Sequence, residues 1–213
     1  MVGPDTDNKP RTLAHIGREP MRNSTALFLL LPLLAIAGCA TDEAPATAEI
    51  DPVHQAFFEN LAQLCGETFE GDGVYPDDDP DHPLVNTGLR NYVSECTDDR
   101  VRIELYRNGG EYWHGAWVLE KRERGLHLFH DHLGDERTEE DLGEGDSHGY
   151  GGYASHDGTP TRQYFPADDV TAEMLPEAAT NVWMMEMDLD AGTFVYYLER
   201  HDAPRFRAEM QLR

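Results

Sequence analysis

From Gly66 onward the chain is cut into short runs in which apolar and polar residues alternate, each run ended by Gly, Asn, Asp or Pro. That alternation restricts the fold more than any other feature, because a period of two puts one set of side chains on a buried strand face and fits no helix. Val101, Ile103 and Leu105 alternate with Arg102, Glu104 and Tyr106, and Asn108-Gly109 follows as a tight-turn pair. Arg100 to Arg107 and Glu111 to Lys121 are therefore predicted to form a hairpin, with Trp113, Trp117 and Leu119 on one face of its second arm. The same reasoning predicts strands at Thr68 to Val74, Gly88 to Cys96, Leu126 to Leu133, Tyr150 to Ala154 and Arg162 to Phe165. Three more close the chain, at Asn181 to Leu189, Thr193 to Arg200 and Arg205 to Leu212. Consecutive hairpins predict a mainly β fold, an antiparallel up-and-down barrel of about eight to ten strands.

One helix is expected in front of the strands. Asp51-Pro52 supplies an N-cap and a proline at the first helical position, where a missing N–H costs nothing. Val53, Phe57, Leu61 and Leu64 recur with Phe58 alongside, giving an apolar face, and Gly66 stands where a left-handed residue ends the helix. A short helical turn is expected at Asp168 to Leu175. Two stretches break the pattern: the acidic loop Pro76 to His82, and the Gly-rich acidic run Gly134 to Pro160, read as a surface excursion. Asp141, Glu144 and Asp146 in that run lack the spacing of an EF-hand and read as a solvated loop.

Upstream of the helix the chain carries an address. Met21-Arg22-Asn23-Ser24 leads into the apolar run Ala26 to Ile36 and then Ile36-Ala37-Gly38-Cys39. A basic residue, an apolar core of about a dozen residues and small residues before a cut point are the parts of a secretory signal, too short for the roughly 20 residues that span a bilayer. The last four residues resemble the lipobox of bacterial lipoproteins, which implies cleavage before Cys39 and lipidation of that cysteine. Ala40, rather than Asp, follows it and resembles the signal for passage to the outer membrane. The expected organisation is a start at Met21 with residues 1–20 untranslated, a signal peptide over 21–38, a flexible tether over 39–50 and a single domain over 51–213. The mature chain is expected to be a monomer.

Residues 1–38 hold four of the chain's 17 basic and three of its 41 acidic side chains, leaving 13 against 38 in the remainder. Such a surface repels phosphate backbones and excludes nucleic acid as a partner. Export also divides the three cysteines. Cys39 goes to lipid, and Cys65 and Cys96 remain as an even pair in an oxidising compartment, where a disulfide is expected.

The helix followed by Cys65-Gly66-Glu67-Thr68-Phe69-Glu70-Gly71 resembles the opening of calycin-like barrels, with Phe69 in the place where that pattern has Trp. Residues 57–212 resemble a family of bacterial secreted lipoproteins through Phe57-Phe58-Glu59-Asn60-Leu61, His130-Asp131-His132, Gln163 to Asp168 and Arg205 to Glu209. The resemblance implies a fold and brings no activity with it.

Two groups of residues are candidates for function. Trp113, Trp117 and Trp183, with Met185 and Met187, are read as lining a barrel that takes a small apolar or amphipathic ligand. His130 and His132, two apart on one strand, share a face with Leu126 and Leu128 and form the alternative, a zinc-type metal site with a third ligand from His114, His148, His156 or a loop acid. Asp131 is expected behind them. No Ser-His-Asp order, GxSxG, HExxH or phosphate-cradling glycine loop occurs, so no catalytic residue is assigned. The sequence reading is a non-enzymatic, lipid-anchored envelope binding module without a resident cofactor, with the zinc-type site or a structural or protein-binding envelope role as the alternatives.

Overall fold

A computed structural model describes residues 50–76, 82–133 and 149–213. The lipobox cysteine Cys39, the tether, most of the loop Pro76 to His82, and Asp141, Glu144, Asp146 and His148 lie outside the described residues. Helix α1 (Pro52–Ala62) comes first. Ten strands follow: β1 (Thr68–Tyr75), β2 (Leu89–Cys96), β3 (Arg100–Arg107), β4 (Tyr112–Arg122), β5 (Gly125–Asp131), β6 (Gly149–Tyr153), β7 (Arg162–Pro166), β8 (Asn181–Asp188), β9 (Thr193–Arg200) and β10 (Ala203–Leu212). Helix α2 (Asp169–Met174) lies between β7 and β8. The expected strands are all present, most of them within a residue or two of their expected ends.

All ten strands form one antiparallel sheet in the order β6-β5-β4-β3-β2-β1-β10-β9-β8-β7, nearly closed into a barrel. The first and last strands are zipped by a full ladder from Phe69↔Leu212 to Tyr75↔Arg207. The remaining gap, between β6 and β7, is bolted rather than zipped. Ser155 N–H donates to the Tyr164 carbonyl at 2.8 Å and Asp168 N–H to the Gly151 carbonyl at 3.1 Å. Asp168 caps α2 by accepting from Thr171 N–H at 2.8 Å, and its other oxygen meets His127 Nε2 of β5 at 3.1 Å. The Thr171 hydroxyl accepts from Gly151 N–H and donates to Gly151 C=O, both at 2.8 Å. Close approach here requires glycine: a Cβ on Gly152 would run into the Pro166 carbonyl.

Inward-facing residues of all strands make one apolar core, with Phe69, Val93, Ile103, Trp117, Leu128, Phe165, Trp183, Met185, Phe194 and Met210 among its members. The outer wall carries ion pairs, Arg90–Glu70 and Arg162–Glu186 across strands and Arg207–Glu209 along β10. Apolar inside and charged outside, the wall faces water and not lipid.

Helix α1 plugs one end of the barrel with Phe57, Phe58 and Leu61. Asp51 Oδ1 accepts from Val53 N–H at 2.8 Å as the expected cap. The buried face is turned from the one expected: His54 is buried, its Nε2 donating to the Ser155 carbonyl at 2.9 Å, and Val53 is 37% exposed. Each step of four residues advances a helix by about 40°, so Val53 sits about 80° from Leu61, whereas 54, 57, 58 and 61 stay on one side. Gly66, at φ 84°, turns the chain out of the helix, and its N–H donates to the Val93 carbonyl at 2.9 Å. Cys65 and Cys96 are disulfide-bonded, with Cα atoms 6.1 Å apart and a sequence separation of 31, tying the helix end to the foot of β2. A loop of that length is worth about 3 to 4 kcal/mol on the chain-entropy model.

Two variants test this construction by chemical unfolding. Replacing both Cys65 and Cys96 with Ser is expected to lower stability by about 3 to 4 kcal/mol. Thr171→Val strands the buried Gly151 N–H and leaves the Gly151 C=O with the Asp168 N–H alone, and a loss of about 1 to 3 kcal/mol is expected; no loss would show that α2 does not hold the seam.

Candidate functional site

Opposite α1, the barrel ends where β5 stops, β6 starts, β4 begins and β8 begins. Alternation on β5 turns Leu126, Leu128 and His130 inward, and His130 is 7% exposed. His132, just past the strand, stacks beside it with ring centroids 4.3 Å apart. Tyr150 of β6 meets His130 edge-on at 5.2 Å, His132 at 5.0 Å and, across the seam, stacks on Trp183 of β8 at 5.5 Å. Trp117 of β4 lies 5.9 Å from His130 and 4.3 Å from Tyr196 of β9. His82 stacks on Phe206 at 5.5 Å. These imidazole, phenol, phenyl and indole rings form one continuous, largely buried cluster at the mouth.

The tryptophans divide. Trp117 and Trp183, each 1% exposed, lie inside as expected. Trp113 does not, which corrects its placement on the Trp117 face. The pairing of β3 with β4 slips from Leu105↔Gly115 to Tyr106↔Trp113, leaving His114 as the extra residue of a β-bulge. The bulge flips Trp113 to the outer wall, where its indole N–H donates to Glu104 Oε2 at 2.6 Å. Asp131 likewise faces outward instead of supporting the histidines. Arg102, 2% exposed, donates to Asp131 Oδ2 at 2.9 Å and to Glu104 Oε1 at 2.6 Å. This buried ion group holds β3 to the end of β5 from outside.

The bulge also decides what stands at the mouth. A Cβ on Gly115 would lie 3.1 Å from His130 Nε2 and 2.9 Å from the Asp131 carbonyl, so the glycine leaves the space that the His130 ring takes up. Both His130 nitrogens are buried and have no hydrogen-bond partner among the described residues. A buried polar atom left so costs about 1 to 3 kcal/mol. A second such group is Asn91 of β2, fully buried and inward-facing, with both amide atoms unpaired. It pairs with Leu105, which pairs with Gly115, the glycine against which His130 Nε2 lies, while His130 itself pairs with Trp117 on the neighbouring inward row. Asn91 was visible in the sequence as the polar residue between Leu89 and Val93. His114, by contrast, became part of the mouth only through the bulge.

Electrostatics keep these rings neutral. Burial first, then repulsion by Arg107, His132 and His82, lowers the His114 pKa to about 4. Burial, with His132 and His114 close by, holds His130 well below its ordinary value. Burial raises Tyr150 against the opposing pull of Arg200, and raises Tyr196 well above the usual phenol range. At neutral pH the imidazoles of His114 and His130 are therefore neutral, each offering one lone pair and one N–H, with the protonated phenols of Tyr150 and Tyr196 beside them.

His156 pairs with Asp51 at the helix-plugged end, far from this cluster by topology. Among the described residues no three His, Cys, Asp or Glu side chains already stand in position to share a metal ion. The hollows lined by Glu95 to Arg122, by Glu186 to Gln211 and by Gln55 to Lys121 all lie on the outer wall or beside α1.

No family model, curated protein or solved structure matches the chain. The mouth is therefore judged on its chemistry, and acid tests it. A histidine whose folded pKa is depressed binds its proton more readily in the unfolded chain, so stability is expected to fall as pH drops from about 6.5 towards 4. Unfolding midpoints across that range check this, and His114→Asn is expected to flatten the fall. An unchanged slope in that variant would refute the assignment.

Proposed function

We propose that the protein is a lipid-anchored binding module of the cell envelope, held through Cys39 and taking a small ligand at the barrel mouth around His130. The observation that carries this reading is the buried His130 ring with neither nitrogen bonded, set among Tyr150, Trp117 and Trp183. Native proteins leave few buried polar groups unpaired, and those that remain mark a bound water, an ion or a functional site. Aromatic faces with a few aimed polar groups are the usual lining of ligand sites. Here the rings offer contact to an apolar body, and His130 offers a donor and an acceptor to its polar end.

The export reading supports the address. A disulfide between Cys65 and Cys96 suits an oxidising compartment, and a water-facing outer wall suits a domain held beside the membrane rather than in it.

Two measurements test the proposal. Cys39→Ser is expected to leave unprocessed precursor that no longer fractionates with membranes; normal maturation of that variant would remove the anchor from the account. Native mass spectrometry of protein purified from its own envelope is expected to show a retained mass, lost in His130→Leu. Because leucine removes two unsatisfied buried atoms, the same variant is expected to be as stable as the parent or up to about 2 kcal/mol more so. A bare mass in the parent, with a strongly destabilised His130→Leu, would make His130 a structural residue.

A further inference from the structure

Resting on the mouth as the ligand site, we infer that its ligand is an amphipathic anion, a carboxylate or phosphate on an apolar tail, whose head is bound at the inner rim by Arg107 and Arg200.

Strand alternation puts both arginines on the rim. On β3 the inward residues Val101, Ile103 and Leu105 are followed two positions on by Arg107, and on β9 Phe194, Tyr196 and Leu198 are followed by Arg200. Each is therefore the last inward side chain of its strand at the mouth. In the sheet of ten, β3 and β9 stand four strands apart, so the two arginines lie on opposite arcs of the rim. Rings of the mouth feel both charges. Arg107 acts on His114, and Arg200 acts on Tyr150, whose ring meets that of His130 at 5.2 Å.

Their surroundings set these two apart. The chain has 41 acidic side chains against 17 basic, enough to give every arginine a carboxylate. On the outer wall Arg90, Arg102 and Arg162 have theirs. Arg107 makes no hydrogen bond or ion pair among the described residues, although its Nε is buried. Its guanidinium carbon lies 6.0 Å from the centre of the Tyr112 ring. Arg200 donates Nε–H to Asn181 Oδ1 at 2.7 Å, which fixes the side chain and leaves its terminal nitrogens without a carboxylate. No Asp or Glu occupies an inward position on the described strands; Glu104 and Asp131, at the ends of β3 and β5, face outward onto Arg102.

A buried guanidinium N–H without an acceptor costs free energy, and an oxyanion supplies the acceptor. The planar fork of arginine fits the paired oxygens of a carboxylate or phosphate. The formal charge of −24 does not forbid this. Salt screens charge over about 8 Å at physiological ionic strength, so the field at the rim is set by the groups nearest to it.

The test uses the mature chain carrying Cys39→Ser, which needs no detergent. It is titrated with octanoate, octyl phosphate, octanol, octyltrimethylammonium and inorganic phosphate, and followed by calorimetry and tryptophan fluorescence. Octanoate or octyl phosphate is expected to saturate one site at least tenfold more tightly than octanol, the ammonium or inorganic phosphate, and to weaken with added salt. Arg107→Met and Arg200→Met are each expected to weaken binding of the octyl anions at least tenfold and to leave octanol unchanged, while Arg124→Met at the plugged end alters neither. Arg107 holds no other part of the fold by a bond, so its variant keeps the test valid should Arg200→Met, which strands Asn181, fail to fold. Equal affinity for octanol and the anions, or anion binding unmoved by both arginine variants, would overturn the inference and leave the mouth reading standing. Inorganic phosphate bound as tightly as octyl phosphate would overturn the amphipathic ligand in favour of a free anion. No binding of any probe would overturn it outright, and a bare mass from the envelope beside that result would end the mouth reading too.

Discussion

An antiparallel sheet always has two edges, and this one places them at β6 and β7, in the middle of the chain. The termini are joined by a complete β1–β10 ladder, so closure rests on a five-residue strand, β6, meeting β7 through a handful of bonds. Unpaired edges invite association, and a barrel avoids that by covering them. Gly152 permits the close approach, Pro166 contributes no N–H to the edge, and α2 covers what is left through Asp168 and Thr171.

Closure is also what assembles the mouth. Tyr150 belongs to β6 and Trp183 to β8, so their stack spans the seam and exists only if the seam is shut. His130 is packed from one side by Tyr150 and from the other by Trp117, two strands apart with β5 between them. The opposite end shows the contrasting solution, an amphipathic helix that fills the opening with Phe57, Phe58 and Leu61. One end of the barrel is thus sealed by apolar side chains. The other is lined by imidazole, phenol and indole rings.

Alternation and turn chemistry made most of the fold legible. Arg100–Arg107 and Thr193–Arg200 fall where the pattern places them, and Asn108-Gly109 turns with positive φ at both residues, as such a pair does. What alternation does not report is a break in itself. One extra residue at His114 reverses every side chain before it, so Trp113 was read onto the wrong face. The seam was equally silent, because Gly152, Asp168 and Thr171 are ordinary loop and cap residues until two distant strands meet. Cys65 and Cys96 were legible from compartment and parity alone.

The buried histidines show why His130 stands apart from a residue that is merely enclosed. His54, His127 and His130 are all buried. His54 uses Nε2 on the Ser155 carbonyl and thereby fixes α1; His127 uses Nε2 on Asp168 and thereby fixes the seam. Each earns its place in the fold with one bond. His130 makes none among the described residues, although a leucine or phenylalanine there would continue the inward row of Leu126 and Leu128 and add to the core. Nor is the site short of hydrogen-bonding groups, since Asp131 is the next residue; the strand turns that carboxylate outward to Arg102 and leaves the imidazole beside Tyr150 and His132. With its nearest carboxylate directed to the opposite face, the His130 ring is left without a bond from any described part of the fold, and that is the observation on which the proposed ligand site rests.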